Sequence, residues 1–215
     1  MLKIYGSDLS SPSNKVRFVA NALGLQYEYR KVNLRNGENR NPEFLKLNPT
    51  GKIPVINEDG FVLFESNAIV KYLCEKNQSP LYPTPLQQKA LVDQWIDFVS
   101  HHVGTAIARV MFNRVFAPIL NVEVDHRSMK DGLNFLNRFL PVVDEQIAKE
   151  GFLANKKFSI ADINLLAILD PAEAADIDLS PYKNLSRFRN ELKQKEFYTK
   201  CFKEYGENLQ QLQRK

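Results

Sequence analysis

The chain has 215 residues, 44% of them apolar and 25% charged, and its net charge is +4. That is an ordinary soluble profile with ample apolar surface for one large domain or two small ones sharing a core. The charge excess is mild and spread among acidic residues, with no aromatic-interleaved basic stripe, which speaks against a nucleic-acid partner.

The longest unbroken apolar stretch, Leu165–Leu169, falls far short of the ~18 residues a membrane span needs. Two cysteines, Cys74 and Cys201, suit a reducing compartment better than a disulfide framework. Met1 to Tyr5 reads directly as a strand, with no signal peptide. A cytoplasmic protein without a membrane partner is expected.

Leu2–Gly6 is expected to be a strand. Pro12–Leu23 is expected to be a helix, with Val16, Phe18, Val19, Ala20 and Leu23 apolar and Gly24 as its C′ stop. Gln26–Leu34 closes a βαβ unit, and Pro42–Leu47 is a short helix. The runs Ile53–Ile56 and Phe61–Phe64 flank Asn57-Glu58-Asp59-Gly60, a hairpin signal. Pro54 cannot donate to a ladder, so its run should be an edge strand or an open entrance to one. Ser66–Lys76 is a helix with Ser66 as N-cap. The order β-α-β-α-β-β-α matches a thioredoxin-like module.

Prolines at 80, 83 and 85 mark a linker. Helical patterns follow: Leu86–Phe116, bent at Gly104 and stopped or kinked by Pro118; Val124–Lys149, with Gly132 and Pro141 as weak points; Ser159–Leu169; and one or two more within 181–205. Ser159-Ile160-Ala161-Asp162 is a capping box with Asp in the Glu position. The expected organisation is an α/β domain at 1–78, a linker at 79–85 and an all-α domain at 86–215.

Two features could carry chemistry. An edge strand beside the helix that starts at Ser66 makes a site for a short acidic peptide, by backbone pairing at one end and helix N–H groups at the other. An ordinary hairpin and a capped helix account for the same residues. Ser10 and Ser11 lie between the first strand and the first helix, where a hydroxyl and helix N–H donors can stabilise a thiolate. Ser10 would equally serve as a plain cap.

Asn48-Pro49-Thr50-Gly51-Lys52-Ile53-Pro54-Val55 followed by Glu65-Ser66-Asn67-Ala68-Ile69 resembles the glutathione-binding signature of the glutathione transferase family. The resemblance covers nearly the whole chain. It implies a cis Pro54, the Ile53 backbone gripping the cysteinyl part of glutathione, and Glu65 and Ser66 holding its γ-glutamyl end. Counting six positions back from Val16, as in the serine-type classes (theta, delta, phi and zeta), implies Ser10 as the group that activates the sulfur, with Ser11 in reserve. No cysteine stands at 10–13 and no tyrosine precedes the helix, unlike the cysteine- and tyrosine-type classes. Pro12 replaces the cysteine of the Ser-Ser-Cys motif of the maleylacetoacetate isomerases. Asn39-Arg40 stand where theta- and phi-like members often carry a histidine that contacts the glycine carboxylate; Asn39 can donate a hydrogen bond there, Arg40 or Lys52 could supply charge, and Lys52 matches a position at the same end.

For the second substrate, the first long helix offers His101, His102, Ala106, Arg109, Val110, Asn113 and Phe116, with Arg109 and Asn113 able to bind a polar group. His101 and His102 are adjacent and share no helix face, so no metal site is expected. The resemblance implies a detoxifying transferase that uses glutathione as co-substrate, needs no other cofactor, acts on a small electrophile, and dimerises through the region from Glu65 to Gln94. A glutathione-dependent isomerase and a non-enzymatic binding module of the same fold are the alternatives.

Overall fold

A computed structural model describes residues 1–203, 205 and 209. The first third of the chain builds β1 (Leu2–Gly6), α1 (Ser11–Ala22), β2 (Tyr27–Lys31), α2 (Pro42–Leu47), β3 (Val55–Glu58), β4 (Phe61–Phe64) and α3 (Ser66–Lys76). The sheet order is β2-β1-β3-β4. β1 runs parallel to β2, and β3 is antiparallel to both β1 and β4.

Strand alternation sorts the side chains between two layers. Leu2, Ile4 and Ile56 join Val16, Ile69 and Leu73 in the main core, beneath α1 and α3. Val55 turns the other way, into a smaller cluster with Val32 and Phe44 that α2 covers.

Two expectations are corrected here. The strand begins at Val55 rather than Ile53 and lies between β1 and β4, so it is an inner strand and not an edge. Pro54 precedes it, where a missing N–H breaks no ladder bond, and the Ile53–Pro54 peptide is cis. Ser66 is the first helical residue of α3 and not its cap; Glu65 holds that position, with φ 70 and ψ 106.

Residues 77–85 form no helix or strand, and after them the described residues hold helices and no further strand. α4 runs from Leu86 to Leu120, interrupted by two wide, π-type turns at Val99–Gly104 and Phe112–Phe116. Pro118 does not end it. The second wide turn already offsets the ladder that a residue without an N–H would break, and the helix stops at Asn121, φ 53. By length and composition alone α4 could cross a membrane. Here Val92, Ile96, Val103 and Val110 bury its apolar side in the main core.

α5 (His126–Glu150) is capped by Asp125, which accepts from the Ser128 N–H at 2.8 Å. It ends at Gly151, φ 77. α6 (Ile160–Leu169) is buried all round, as its unbroken apolar sequence requires. α7 (Lys183–Lys193) and α8 (Glu196–Thr199) follow it.

Gly132 reads as a weak point in the sequence but marks a close crossing. A Cβ there would stand 2.9 Å from the Ala106 carbonyl oxygen and 3.0 Å from Val110. Only glycine lets α5 lie that close to α4.

Candidate active site

Two cavities meet at the start of α1. One, of about 660 Å³, lies between the sheet unit and the helices: Ser10, Ser11 and Lys15 line it from the start of α1 and its cap, and Glu65, Ser66 and Asn67 from the start of α3 and its cap. Its opposite wall carries His101, Thr105, Ala108 and Phe112 of α4. The second, of about 560 Å³, is lined by Leu34 and Arg35 after β2 and by Ile119 and Leu120 at the end of α4. Leu9, Ser10 and Phe116 border both.

Ser10 has extended backbone (φ -100, ψ 105) and is the N-cap of α1; its Oγ accepts from the Ser13 N–H at 3.3 Å. A hydroxyl that accepts through a lone pair still has its own proton to give. That proton, beside the positive end of a twelve-residue helix, suits an anionic sulfur. Ser11 is the first residue of α1 and borders only the larger cavity.

Across the cleft, Glu65 is exposed and left-handed, and no side-chain bond caps α3. A non-glycine residue held at positive φ stores strain of about 1–3 kcal/mol, and such residues cluster at ligand clamps. The first N–H groups of α3 lack partners within the helix. A glutamate, a serine and free N–H donors thus stand together.

Asn39, Lys52, Ile53 and Pro54 are not among the residues that line the larger cavity. The Asn39 side chain donates to the Gly51 carbonyl at 2.6 Å. The loop is held from inside by Asn48, which is 2% exposed; it donates to the Lys52 carbonyl at 2.7 Å and accepts from the Thr50 N–H and hydroxyl. The exposed Lys52 side chain and the Ile53 backbone are thereby fixed beside the sheet.

Comparison with known proteins decides the family. Residues 2–75 match the model of the glutathione S-transferase N-terminal domain, and residues 106–196 match that of the C-terminal domain. The chain is 32% identical over 213 residues to glutathione S-transferase D7 of Drosophila melanogaster, covering 98% of this chain and 91% of that protein. The chain belongs to the glutathione S-transferase family.

Solved members of that family superpose over almost all of it. Glutathione transferase F7 of Populus trichocarpa matches with a TM-score of 0.87 at 26% identity, over 97% of this chain and 99% of that one. A maize glutathione S-transferase I in complex with an atrazine glutathione conjugate matches with a TM-score of 0.84 at 26% identity, over 93% and 95%. The α/β unit followed by helices is the glutathione transferase fold.

Within this transferase, Arg109 and Asn113 do not line the cleft, and neither do His102, Ala106 or Val110. Their face packs on α5. A Cβ on Gly132 would lie 3.1 Å from Arg109 Cβ. Asn113 is 4% exposed, donates to the Arg109 carbonyl at 2.9 Å and accepts from the Asp125 N–H at 2.7 Å. It ties the start of α5 to α4. The cleft wall is the face one position round, and of the expected residues only His101 and Phe116 belong to it.

Sequence reading also missed polar residues of the cleft. Lys15, Asn67, Ser100, Asn164 and Tyr205 all border it. Asn67 directly follows the Glu-Ser pair, which is the one signal that could have found it. Among the described residues no cluster of three His, Cys, Asp or Glu side chains could hold a metal.

Proposed function

We propose that this transferase joins the sulfur of glutathione to an electrophilic carbon of a largely apolar small molecule, with Ser10 holding the thiolate. The observation that carries this reading is the position of Ser10. It caps α1 where a cavity bordered by Glu65 and Ser66 opens into one walled by Leu34, Phe116, Ile119 and Leu120.

Glutathione would lie with its γ-glutamyl end at Glu65 and Ser66, its cysteinyl backbone along Ile53 and Pro54, and its glycine end toward Asn39 and Lys52. A thiol with an intrinsic pKa near ~8.5 loses its proton to solvent as the Ser10 O–H and the helix end stabilise the sulfur anion. The thiolate electron pair forms the new S–C bond. A leaving group departs with its own pair, or the adjacent carbon takes a proton if the electrophile is an alkene. Ser10 only donates a hydrogen bond to the sulfur and forms no covalent bond.

The conjugate bound by the maize relative agrees with this product type. Glutathione as the sole co-substrate without a further cofactor, a cytoplasmic detoxifying role, a homodimer through residues 65–94 and domain limits at 78 and 86 are parts of the same reading.

Titrating the ultraviolet absorbance of the thiolate in a mixture of glutathione and protein tests it. A thiol pKa below that of free glutathione, restored toward the free value by Ser10→Ala, supports it. Absorbance equal to that of free glutathione at calorimetric saturation overturns it. A thiol regenerated without conjugate would mean an isomerase instead.

A further inference from the structure

Lys15 is a buried amine that the steps above do not use. It is 4% exposed, yet it borders the cleft. Its Nζ donates to Asn67 Oδ1 on α3 and, at 3.0 Å, to Asn164 Oδ1 on α6. The two amides in turn donate to Ser100 Oγ on α4, at 3.1 and 3.2 Å. Four side chains from four helices close a ring, and three of them are neutral.

An ammonium removed from water normally keeps an opposite charge beside it, because an unpaired buried ion costs several kcal/mol. Among the described residues no carboxylate lies within ion-pair distance of Lys15. Glu65, exposed at the head of α3, acts on it only from further off. An ammonium formed in this ring therefore stands at the wall of a cleft with no counter-ion of its own, and one is left to be supplied.

We infer that Lys15 is a positioning residue for the ligand's γ-glutamyl end, whose α-carboxylate completes the ring as the missing counter-ion. This rests on the proposed glutathione site. Asn67 is the link, since it follows Glu65 and Ser66 directly and receives the Lys15 ammonium on its amide oxygen. Glu65 then faces the ligand's α-ammonium, and Ser66 with the α3 N–H groups faces the carboxylate, so each ligand charge meets its opposite.

A proton follows the ligand. Burial pulls the Lys15 pKa from 10.5 down to about 7; Glu65 pushes it up and Lys71, further along α3, pushes it down. At slightly alkaline pH the empty cleft holds Lys15 mostly neutral. An arriving carboxylate restores the ammonium, so binding takes up a proton. Around the ring, α3 brings Glu65 and Lys71, α6 brings the neutral Asn164, and His101 of α4 and Tyr205 are the other titratable groups that line the cavity.

The test is calorimetry with S-methylglutathione, which has no thiol proton to lose, in buffers of different ionisation enthalpy at about pH 8. The wild-type protein should take up a substantial fraction of a proton, and His101→Gln should keep that uptake. Lys15→Met should abolish it and weaken binding about tenfold, the range for a lost charge-assisted bond. The S-methyl analogue lacking the α-carboxylate should bind without uptake. Should Lys15→Met fail to fold, the comparison of the two ligands on wild-type protein decides alone. Uptake from both ligands, or none from S-methylglutathione, overturns the role of Lys15. No binding of S-methylglutathione at all instead removes the glutathione site itself.

Discussion

The Tyr205 hydroxyl donates to the Leu9 carbonyl at 2.8 Å. A residue near the end of the chain thus pins the turn immediately before Ser10. Burial raises the phenol's pKa above its ordinary range, which keeps the proton on the hydroxyl and available to Leu9 near neutral pH. Tyr205→Phe removes only that bond and should lower kcat about two- to tenfold, the equivalent of one neutral hydrogen bond. KM for the electrophile should change less and far-UV circular dichroism not at all. Steady-state kinetics with a chromogenic electrophile gives the split.

Ser10 and Ser11 are told apart by a pair of variants. Ser10→Ala should lower kcat by about 10²–10³, as losing one preorganised donor to a developing anion does. Its kcat should regain ground as pH rises and bulk ionisation supplies the thiolate. Ser11→Ala should stay close to wild type. The reverse pattern would move the activating hydroxyl to Ser11.

Asp162 is a structural carboxylate. It accepts from the Leu153 N–H at 2.9 Å, the Ser159 N–H at 2.8 Å and the Ser159 hydroxyl at 3.0 Å. Asp162→Ala leaves those donors buried and unpaired and should cost about 2–4 kcal/mol, read from urea unfolding. Burial raises the acid's pKa from 3.8 to about 6 against the pull of its hydrogen bonds. The native state therefore binds the extra proton between those values. The stability this group contributes is full below about pH 4 and is lost as pH rises through about 6. Asp162→Asn should flatten the stability profile in that window.

Gly132 sets helix propensity against packing. In an exposed helix, glycine to alanine gains about 1 kcal/mol. Here the new Cβ meets a backbone oxygen at 2.9 Å. Gly132→Ala should instead destabilise by about 1–3 kcal/mol, the range for overpacking. A raised melting temperature would show that α4 and α5 can part without loss.

Much of this was legible in the residues. Apolar periodicity and proline placement gave the order of elements, because each strand and helix buries one regular face. The resemblance pointed to Ser10 and to the Glu65–Ser66 pair, and the structure places all three on the wall of one cleft. What failed had physical causes. Pro54 looked like part of a strand because the strand begins one residue after it. Glu65 displaced Ser66 from the cap because a left-handed backbone cannot be read from a glutamate. Arg109 and Asn113 were placed in the cleft because a polar stripe on a long helix looks like a lining, whereas this one seals a helix crossing. Lys15 escaped notice because lysines on helices are ordinarily solvated.

The wide turns of α4 bear on how this cleft can change. Each takes in one residue more than a regular turn of helix, so each is a small store of slack in an otherwise rigid rod. A one-residue deletion within Val99–Gly104 can be absorbed by letting the turn close to normal pitch, leaving Thr105, Ala108 and Phe112 aimed as before. The same deletion within Thr105–Met111 has no slack to draw on locally and swings the residues that follow by about 100°, carrying Phe112 away from the cleft. Tolerance to changes in length along this helix should therefore be uneven, generous where the coil is loose and severe one turn later.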